Sequence, residues 1–307
     1  MLTVIQTEAS SEVGFGHVVR SVTLARGLQE VRQDVRIQVE DRMAQNYVRA
    51  HGVKLAGQRL AEVAEILVRD VRTLYPTTGG LHRWIDVVDV AADASGYAQV
   101  VLAMLWEQYD KVYGCGPIIR PEFLEQPRRK VPGRVVVSLG GTDPTGSTER
   151  VVMYLRTAGI DAVGIIGPGA RPPASDQHVI RTEAIWRDLA EAQVAVVTGG
   201  MTLLECASIG VPCVALANND MEDARLKWLI NKGNPWFYYA GYTQRFHPGF
   251  LQSTVQGLLG CERVRGTLGK RGMEQVDGGG LAHAVAAITI AQGLRPMAQP
   301  VQLGLNV

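Results

Sequence analysis

The sequence holds little cysteine, few aromatics, no charge excess and no long apolar run. Of its 307 residues four are cysteine (Cys115, Cys206, Cys213 and Cys261) and none forms a Cys-x-x-Cys pair. Zinc-ligand spacing is therefore missing, and no metal site is expected. Cys206 and Cys213 sit in apolar runs and read as buried thiols. The formal net charge is +1, and residues 1–83 carry 11 Lys/Arg against 9 Asp/Glu. No global field draws nucleic acid or anionic lipid. Nothing approaches about 18 consecutive apolar residues, so no membrane span is expected. The start, MLTVIQTEAS, lacks a basic region ahead of a long apolar stretch. No signal peptide is read there, and the expected location is cytoplasmic. The phosphate loop GxxxxGK[ST] is absent, which removes support for ATP-driven chemistry. GxGxxG is absent too, which disfavours a bound nicotinamide dinucleotide. HExxH and GxSxG do not occur, and no cofactor is expected.

What is present is an ordinary soluble composition, 46% hydrophobic and 20% charged. The length suits two domains. Short apolar runs alternate with helix-length amphipathic stretches. Leu2–Gln6 reads as a strand, His17–Glu30 as a helix, Val35–Val39 as a strand and Ala44–Gly52 as a helix. Ile66–Val68 and Val87–Val90 are strand candidates, and Tyr97–Gln108 is open between strand and helix. Residues 126–134, QPRRKVPGR, are charged, contain two prolines and read as a linker. The pattern then restarts: strands at Val135–Leu139, Ala162–Ile166, Val194–Val197 and Cys213–Leu216 alternate with helical stretches, and terminal helices fall at Phe250–Leu259 and Leu281–Gln292. Strands separated by helices imply parallel sheets covered on both faces. The expected fold class is α/β with two Rossmann-like domains, residues 1–131 and 132–292, and a loose tail at 293–307.

Three constellations fall at strand ends, where open α/β sheets bind ligands. The first is Gly14-Phe15-Gly16-His17-Val18-Val19-Arg20. A glycine turn opens a helix whose free amides and dipole attract anions. A histidine at that place suits proton transfer near neutral pH; the bland alternative is a helix cap. The second is Gly140-Gly141-Thr142-Asp143, where backbone can approach a ligand closely and hold a phosphate. The alternative there is a plain turn with Asp143 or Thr145 capping a helix. The third is Gly199-Gly200-Met201-Thr202-Leu203-Leu204-Glu205, a strand ending in paired glycines with a helix starting at once. This offers a diphosphate seat, with Glu205 one turn inside the helix to accept from ribose hydroxyls. The alternative is a capping interaction within Thr202–Glu205.

Taken together, Glu8–Ala25 (EASSEVGFGHVVRSVTLA), Tyr113–Phe123 (YGCGPIIRPEF), Val135–Pro144 (VVVSLGGTDP) and Val194–Pro212 resemble the UDP-sugar hydrolases of pseudaminic acid biosynthesis. They are more distantly similar to the lipid II-forming N-acetylglucosaminyltransferases. Both belong to the GT-B superfamily. The resemblance spans most of residues 1–245 and implies two Rossmann-like domains with parallel sheets facing across a cleft that takes a UDP-sugar. It implies His17 as the catalytic base, Gly199–Thr202 under the diphosphate, Glu205 on the ribose, and backbone near Arg181–Ile185 reading uracil. It further implies donor contacts from Gly14, Gly16, Arg20, Gly140, Gly141, Thr142, Ile185, Asn219 and Asp220, without a metal ion.

Two departures bear on the reaction. The hydrolases carry Asp-His-Tyr after a central strand, whereas this chain reads Leu67-Val68-Arg69-Asp70-Val71-Arg72. Asp70 matches the aspartate and joins the candidate catalytic residues; the His and Tyr are missing. Where the family has Asn-Gln and then Asn-Ala, this chain has Asn219-Asp220 and then Asp223-Ala224. A changed sugar site is expected. Three readings follow: an inverting, metal-independent UDP-sugar glycosyltransferase; a UDP-sugar hydrolase; and a non-catalytic nucleotide-sugar-binding protein. The acceptor of a transferase is open among a small molecule, a lipid carrier and a hydroxymethylated DNA base. DNA would suit the arginines at Arg42, Arg49, Arg59, Arg69, Arg72 and Arg83, for which solvated surface is the competing account.

Overall fold

Val, Ile and Leu fill the short apolar runs at strand length, and glycines or polar turns bound each run, so the chain alternates strand and helix. A computed structural model describes residues 2–10, 14–71, 83–88, 100–104, 112–126, 129–143, 146–167, 169–173 and 177–293. The first unit spans residues 1–119 and takes back the chain from residue 278 onward. Its elements run β1 (Leu2–Thr7), α1 (Gly16–Glu30), β2 (Asp34–Gln38), α2 (Arg42–Ala50), β3 (Lys54–Leu55), α3 (Gln58–Glu62), β4 (Ile66–Asp70), β5 (Arg83–Val88), β6 (Val100–Ala103) and β7 (Val112–Gly114). The sheet order is β3-β2-β1-β4-β5-β6-β7, and every pairing is parallel. The order reverses between β1 and β4. In such sheets the crevice lies there, beyond the carboxyl ends of the strands.

The second unit, residues 120–277, repeats the scheme. It runs α4 (Pro121–Leu124), β8 (Val135–Ser138), α5 (Ser147–Thr157), β9 (Ala162–Ile166), β10 (Val179–Arg181), α6 (Ile185–Glu191), β11 (Val194–Thr198), α7 (Met201–Ser208), β12 (Cys213–Ala217), α8 (Asp220–Asn231), β13 (Phe237–Tyr242), α9 (Pro248–Gly260) and α10 (Glu262–Gln275). The order is β10-β9-β8-β11-β12-β13, again all parallel, with its reversal between β8 and β11. Strands β8, β11 and β12 are buried at every residue, which explains why they read as unbroken apolar runs rather than alternating ones. Val137, Val152, Val196, Val214 and Leu251 belong to one core beneath α5 and α9.

The expected domain limits need correcting. The chain passes from one unit to the other between Ile119 and Arg120, ahead of the proline-bearing segment at 126–134. The later part of that segment is packed rather than free. Val131 N–H donates to the Glu191 carbonyl at 2.8 Å, and Arg134 pairs with Asp188 and Glu191 at 3.1 and 2.7 Å. The last helix, α11 (Gly280–Ala291), expected in the second domain, belongs to the first unit and packs on α1. Its residues Ala284, Ile288 and Ala291 are buried, and Gly27 of α1 leaves room for Leu281 and Val285. Residues 294–307 of the expected tail lie outside the described residues.

Gly280 lets α11 begin against the Gly116–Pro117 backbone: a Cβ there would fall well inside contact distance of the Pro117 carbonyl oxygen. Backbone cannot rotate out of the way as a side chain does. Gly280→Ala is therefore expected to destabilise the first unit by about 1–3 kcal/mol, the scale of an overpacked core. A denaturant titration following that unit checks it; an unchanged midpoint would mean that the backbone there yields freely.

Candidate functional site

In the first unit β1 and β4 end side by side, with Thr7 opposite Asp70 in the register. The chain leaving β1 turns at Gly14, whose amide donates to the Ser10 carbonyl at 2.9 Å. Gly14 has φ +81° and open space where a Cβ would sit, so backbone conformation alone calls for glycine. Phe15 is buried edge-on against Tyr47 of α2, ring centroids 5.2 Å apart, and anchors the turn. Gly16 then opens α1, which has no side-chain cap. His17 lies in the first turn, and Arg20 and Ser21 follow three and four residues later, on the helix face that meets Asp70.

The four side chains form one network. Asp70 is 1% exposed, Arg20 3% and His17 17%. Asp70 Oδ2 accepts from Arg20 Nε at 2.9 Å and from Ser21 Oγ at 3.0 Å. Its Oδ1 accepts from Arg20 Nη2 and lies 2.7 Å from His17 Nδ1. Arg20 thus holds the carboxylate in a two-pronged fork, and its Nη1 also meets Met104 Sδ at 3.3 Å. Burial by itself raises the carboxyl of Asp70, but the charge and hydrogen bonds of Arg20, with His17 second, outweigh it and hold the group well below the usual carboxylate range. Asp70 is therefore an ionised acceptor, and His17 Nδ1 is the donor to it. The tautomer follows from this network. Arg20 Nη2, 3.1 Å from the same ring nitrogen, then sets a positive charge beside the imidazole rather than a hydrogen bond. Nε2 is the ring nitrogen left to take a proton.

His17 and Asp70, matched from separate sequence segments, are thus in contact. Arg20 is a correction: expected on the donor, its guanidinium is buried and committed to Asp70. Arg69 is another. Far from a surface contact for DNA, it is 1% exposed, bonded to Asp86 on β5 at 3.2 Å and stacked on Trp84. Arg42, Arg49 and Arg59 are exposed, and Arg72 lies outside the described residues.

In the second unit the other two glycine turns lie beyond β8 and β11, beside the reversal. Gly140 has φ +108°. Gly141 rests directly on Gly167 past β9, where a Cβ on Gly167 would strike the Gly141 carbonyl. The turn's helix start is already filled: both oxygens of the buried Asp143 carboxylate accept α5 amides, Ser147 at 3.0 Å and Thr148 at 3.1 Å. The capping alternative holds for Asp143, whose carboxylate takes these α5 amides, while Gly140, Gly141 and Thr142 form the turn ahead of it. The start of α7 is different. Gly200 takes the N-cap place, no side chain caps it, and the first turn holds no acidic residue. Met201 and Thr202 are part-exposed at this open start. Gly199 is glycine for a packing reason, since a Cβ would press on Leu226 of α8 at 2.9 Å. Its carbonyl accepts from Arg225 at 3.0 Å.

Glu205 does not cap α7 either. It is 2% exposed, and its Oε1 accepts from Arg120 Nε at 2.7 Å. Arg120 was missed as a site residue, although it stands in the Arg-Pro-Glu-Phe stretch the resemblance singled out. Ile185 opens α6 with its side chain buried, so only its backbone is on offer. Asn219, expected on the donor, caps α8: its side chain accepts from Glu222 N–H at 3.0 Å. Asp220 is exposed and accepts from Tyr242 Oη at 2.7 Å, while Asp223 accepts from Tyr239 and Lys227. Asn218, also missed, ties the ends of β8 and β12 together, donating to the Leu139 carbonyl at 3.1 Å and accepting from Thr243 at 3.1 Å.

No protein-family model matches the sequence, and no curated protein sequence matches it. Solved structures do match. The calicheamicin glycosyltransferase CalG4 aligns over 95% of this chain and 98% of its own, with a TM-score of 0.62 at 14% identity. MurG of Acinetobacter baumannii aligns over 94% of this chain and 100% of its own, with a TM-score of 0.64 at 14% identity. A putative UDP-N-acetylglucosamine 2-epimerase from Listeria monocytogenes aligns over 96% and 98%, with a TM-score of 0.58 at 11% identity. The chain has the GT-B fold, and that fold carries more than one reaction. Among the described residues no helix is long and apolar enough to cross a membrane.

Proposed function

We propose that the chain is a glycosyltransferase that takes a nucleoside diphosphate sugar, with the second unit holding the donor and the first supplying the base. The observation that carries this reading is the His17–Asp70 pair: a buried, ionised aspartate fixes Nδ1 and leaves Nε2 as proton acceptor. An acceptor hydroxyl at Nε2 gives up its proton as its oxygen bonds to the anomeric carbon. The bond from that carbon to the diphosphate oxygen breaks, its electron pair leaves with the phosphate, and the configuration inverts. The uncapped start of α7 supports binding of the departing diphosphate through its amides and dipole, which makes a metal ion unnecessary. UDP is the nucleotide suggested by the resemblance, and the acceptor is a small molecule, a lipid carrier or a hydroxymethylated DNA base.

Hydrolysis is the second reading. The same pair deprotonates water as readily as a hydroxyl, and Arg120–Phe123 lies in the hydrolase-like segment. The test is nucleotide release from a panel of UDP-sugars, with and without pooled acceptors including hydroxymethylated DNA. Release that depends on acceptor supports transfer; equal release without it supports hydrolysis; none in either arm overturns both. Turnover is expected to be unchanged by EDTA, and a loss restored by a divalent cation would overturn the metal-independent part.

A further inference from the structure

The donor reading leaves open how Glu205 comes to serve a ribose at all. A carboxylate 2% exposed cannot be left without compensation, since burying a charge is costly unless it is paired. Arg120 supplies the pairing from outside α7. It stands at the N-cap position of α4, and its Nε lies 2.7 Å from Glu205 Oε1. Its guanidinium is itself fixed by two rings: Cζ lies 4.9 Å from the Phe123 centroid and 5.4 Å from that of Trp186. Those rings meet edge-on, 6.4 Å apart. The short α4 therefore gathers the first turn of α6 and the second turn of α7 around one cation. Glu205 Oε2 has no hydrogen-bond partner among the described residues, and each carboxylate oxygen accepts more than one hydrogen bond.

We propose that Arg120 is a positioning residue that makes the donor site select a ribonucleoside diphosphate over its 2′-deoxy counterpart, by holding the Glu205 side chain in one rotamer for the ribose diol. The inference rests on the donor reading above and deepens it. Arg120 acts on the ribose only through the carboxylate it holds. Its loss should therefore remove the distinction between ribose and deoxyribose while leaving contacts to base and diphosphate. A site built to bond a hydroxyl rejects the analogue that lacks it, because its own polar group is left unpaired. That rejection needs a Glu205 that cannot swing aside.

Calorimetric titration of UDP and 2′-deoxy-UDP into the full chain tests this, with thermal melts run alongside. The wild type is expected to bind UDP more tightly. Arg120→Met, which keeps length and packing against the rings, should weaken UDP by about tenfold to a hundredfold, the scale of a lost hydrogen bond to a charged group. It should leave 2′-deoxy-UDP within about twofold, so that the ratio collapses toward one. Arg120→Lys should restore part of the ratio, because its cation still faces the carboxylate. A folded Arg120→Met with the wild-type ratio overturns the proposal, as does equal weakening of both nucleotides. Should Arg120→Met not fold, Arg120→Lys decides: an unaltered ratio there overturns the proposal, and a reduced one supports it. Wild type that binds both nucleotides equally overturns this inference alone, whereas wild type that binds neither overturns the donor reading with it.

Discussion

His17→Ala is expected to lower kcat for nucleotide release by about 10²- to 10⁴-fold, the usual worth of a positioned general base. Affinity for UDP should hardly move, because the open start of α7 and Glu205 both lie in the second unit. Asp70→Asn should cost as much or more. An asparagine offers Arg20, Ser21 and His17 a single carbonyl oxygen in place of two charged ones, and its amide can only donate to Nδ1. That turns the proton to Nε2, the atom that has to be bare. A histidine held in the wrong tautomer loses on the order of 10³- to 10⁴-fold in the Ser-His-Asp triad. The two losses should not add in the double variant, since each disables the same proton transfer. Single-turnover rates with each variant check this, and a His17→Ala enzyme within about tenfold of wild type would remove the histidine from the role.

Much of this was legible from the chain, and the exceptions have physical causes. Strands β8, β11 and β12 are apolar throughout and bounded by Gly-Gly or Gly-Val-Pro, so run length and punctuation were enough to find them. Helix α10 was not read, because Gly266, Gly269 and Gly272 look like breakers. Two of them are there so that another element can come close: a Cβ on Gly269 would meet the Gly210 carbonyl, and one on Gly272 the backbone of Ala207. Sequence cannot tell a glycine that breaks a helix from one that lets another backbone approach. Edge strand β13 failed for a related reason, since its Tyr-Tyr-Ala-Gly-Tyr run alternates poorly and carries a glycine at φ +87°. At the site, the family resemblance supplied the two ends of the His17–Asp70 contact but misassigned the residue between them. Arg20 follows His17 in a helix opening that resembles an anion seat, and only the fold reveals that the anion it meets is Asp70. Asp143 and Asn219 repeat the lesson: polar residues beside a helix start went to the chain's own amides.

Removing the carboxylate of Asp70 should cost stability as well as rate. With Asp70→Ala the Arg20 guanidinium stays buried beside Met104 without a counter-charge, and breaking a buried pair from one side typically costs about 3–5 kcal/mol. The double variant Arg20→Met/Asp70→Leu should lose much less than the sum of its parts, because it leaves no orphaned charge. Acid supplies an independent reading. A carboxyl held below its ordinary range in the folded chain stabilises that chain above the unfolded pKa of about 3.9 and loses this contribution as pH falls through the folded value. Stability of the first unit should thus fall with pH below about 4, and Asp70→Asn, having no proton to gain there, should flatten that fall. Denaturant titrations at several pH values measure both. A penalty for Asp70→Ala below about 1 kcal/mol would mean that water reaches Arg20 and that the carboxylate is not what holds it. An acid limb unchanged by Asp70→Asn would place the titrating group elsewhere. The full penalty together with the flattened limb would tie base and fold to one buried pair: the charge that orients His17 would then also secure the crossing of β4 with α1.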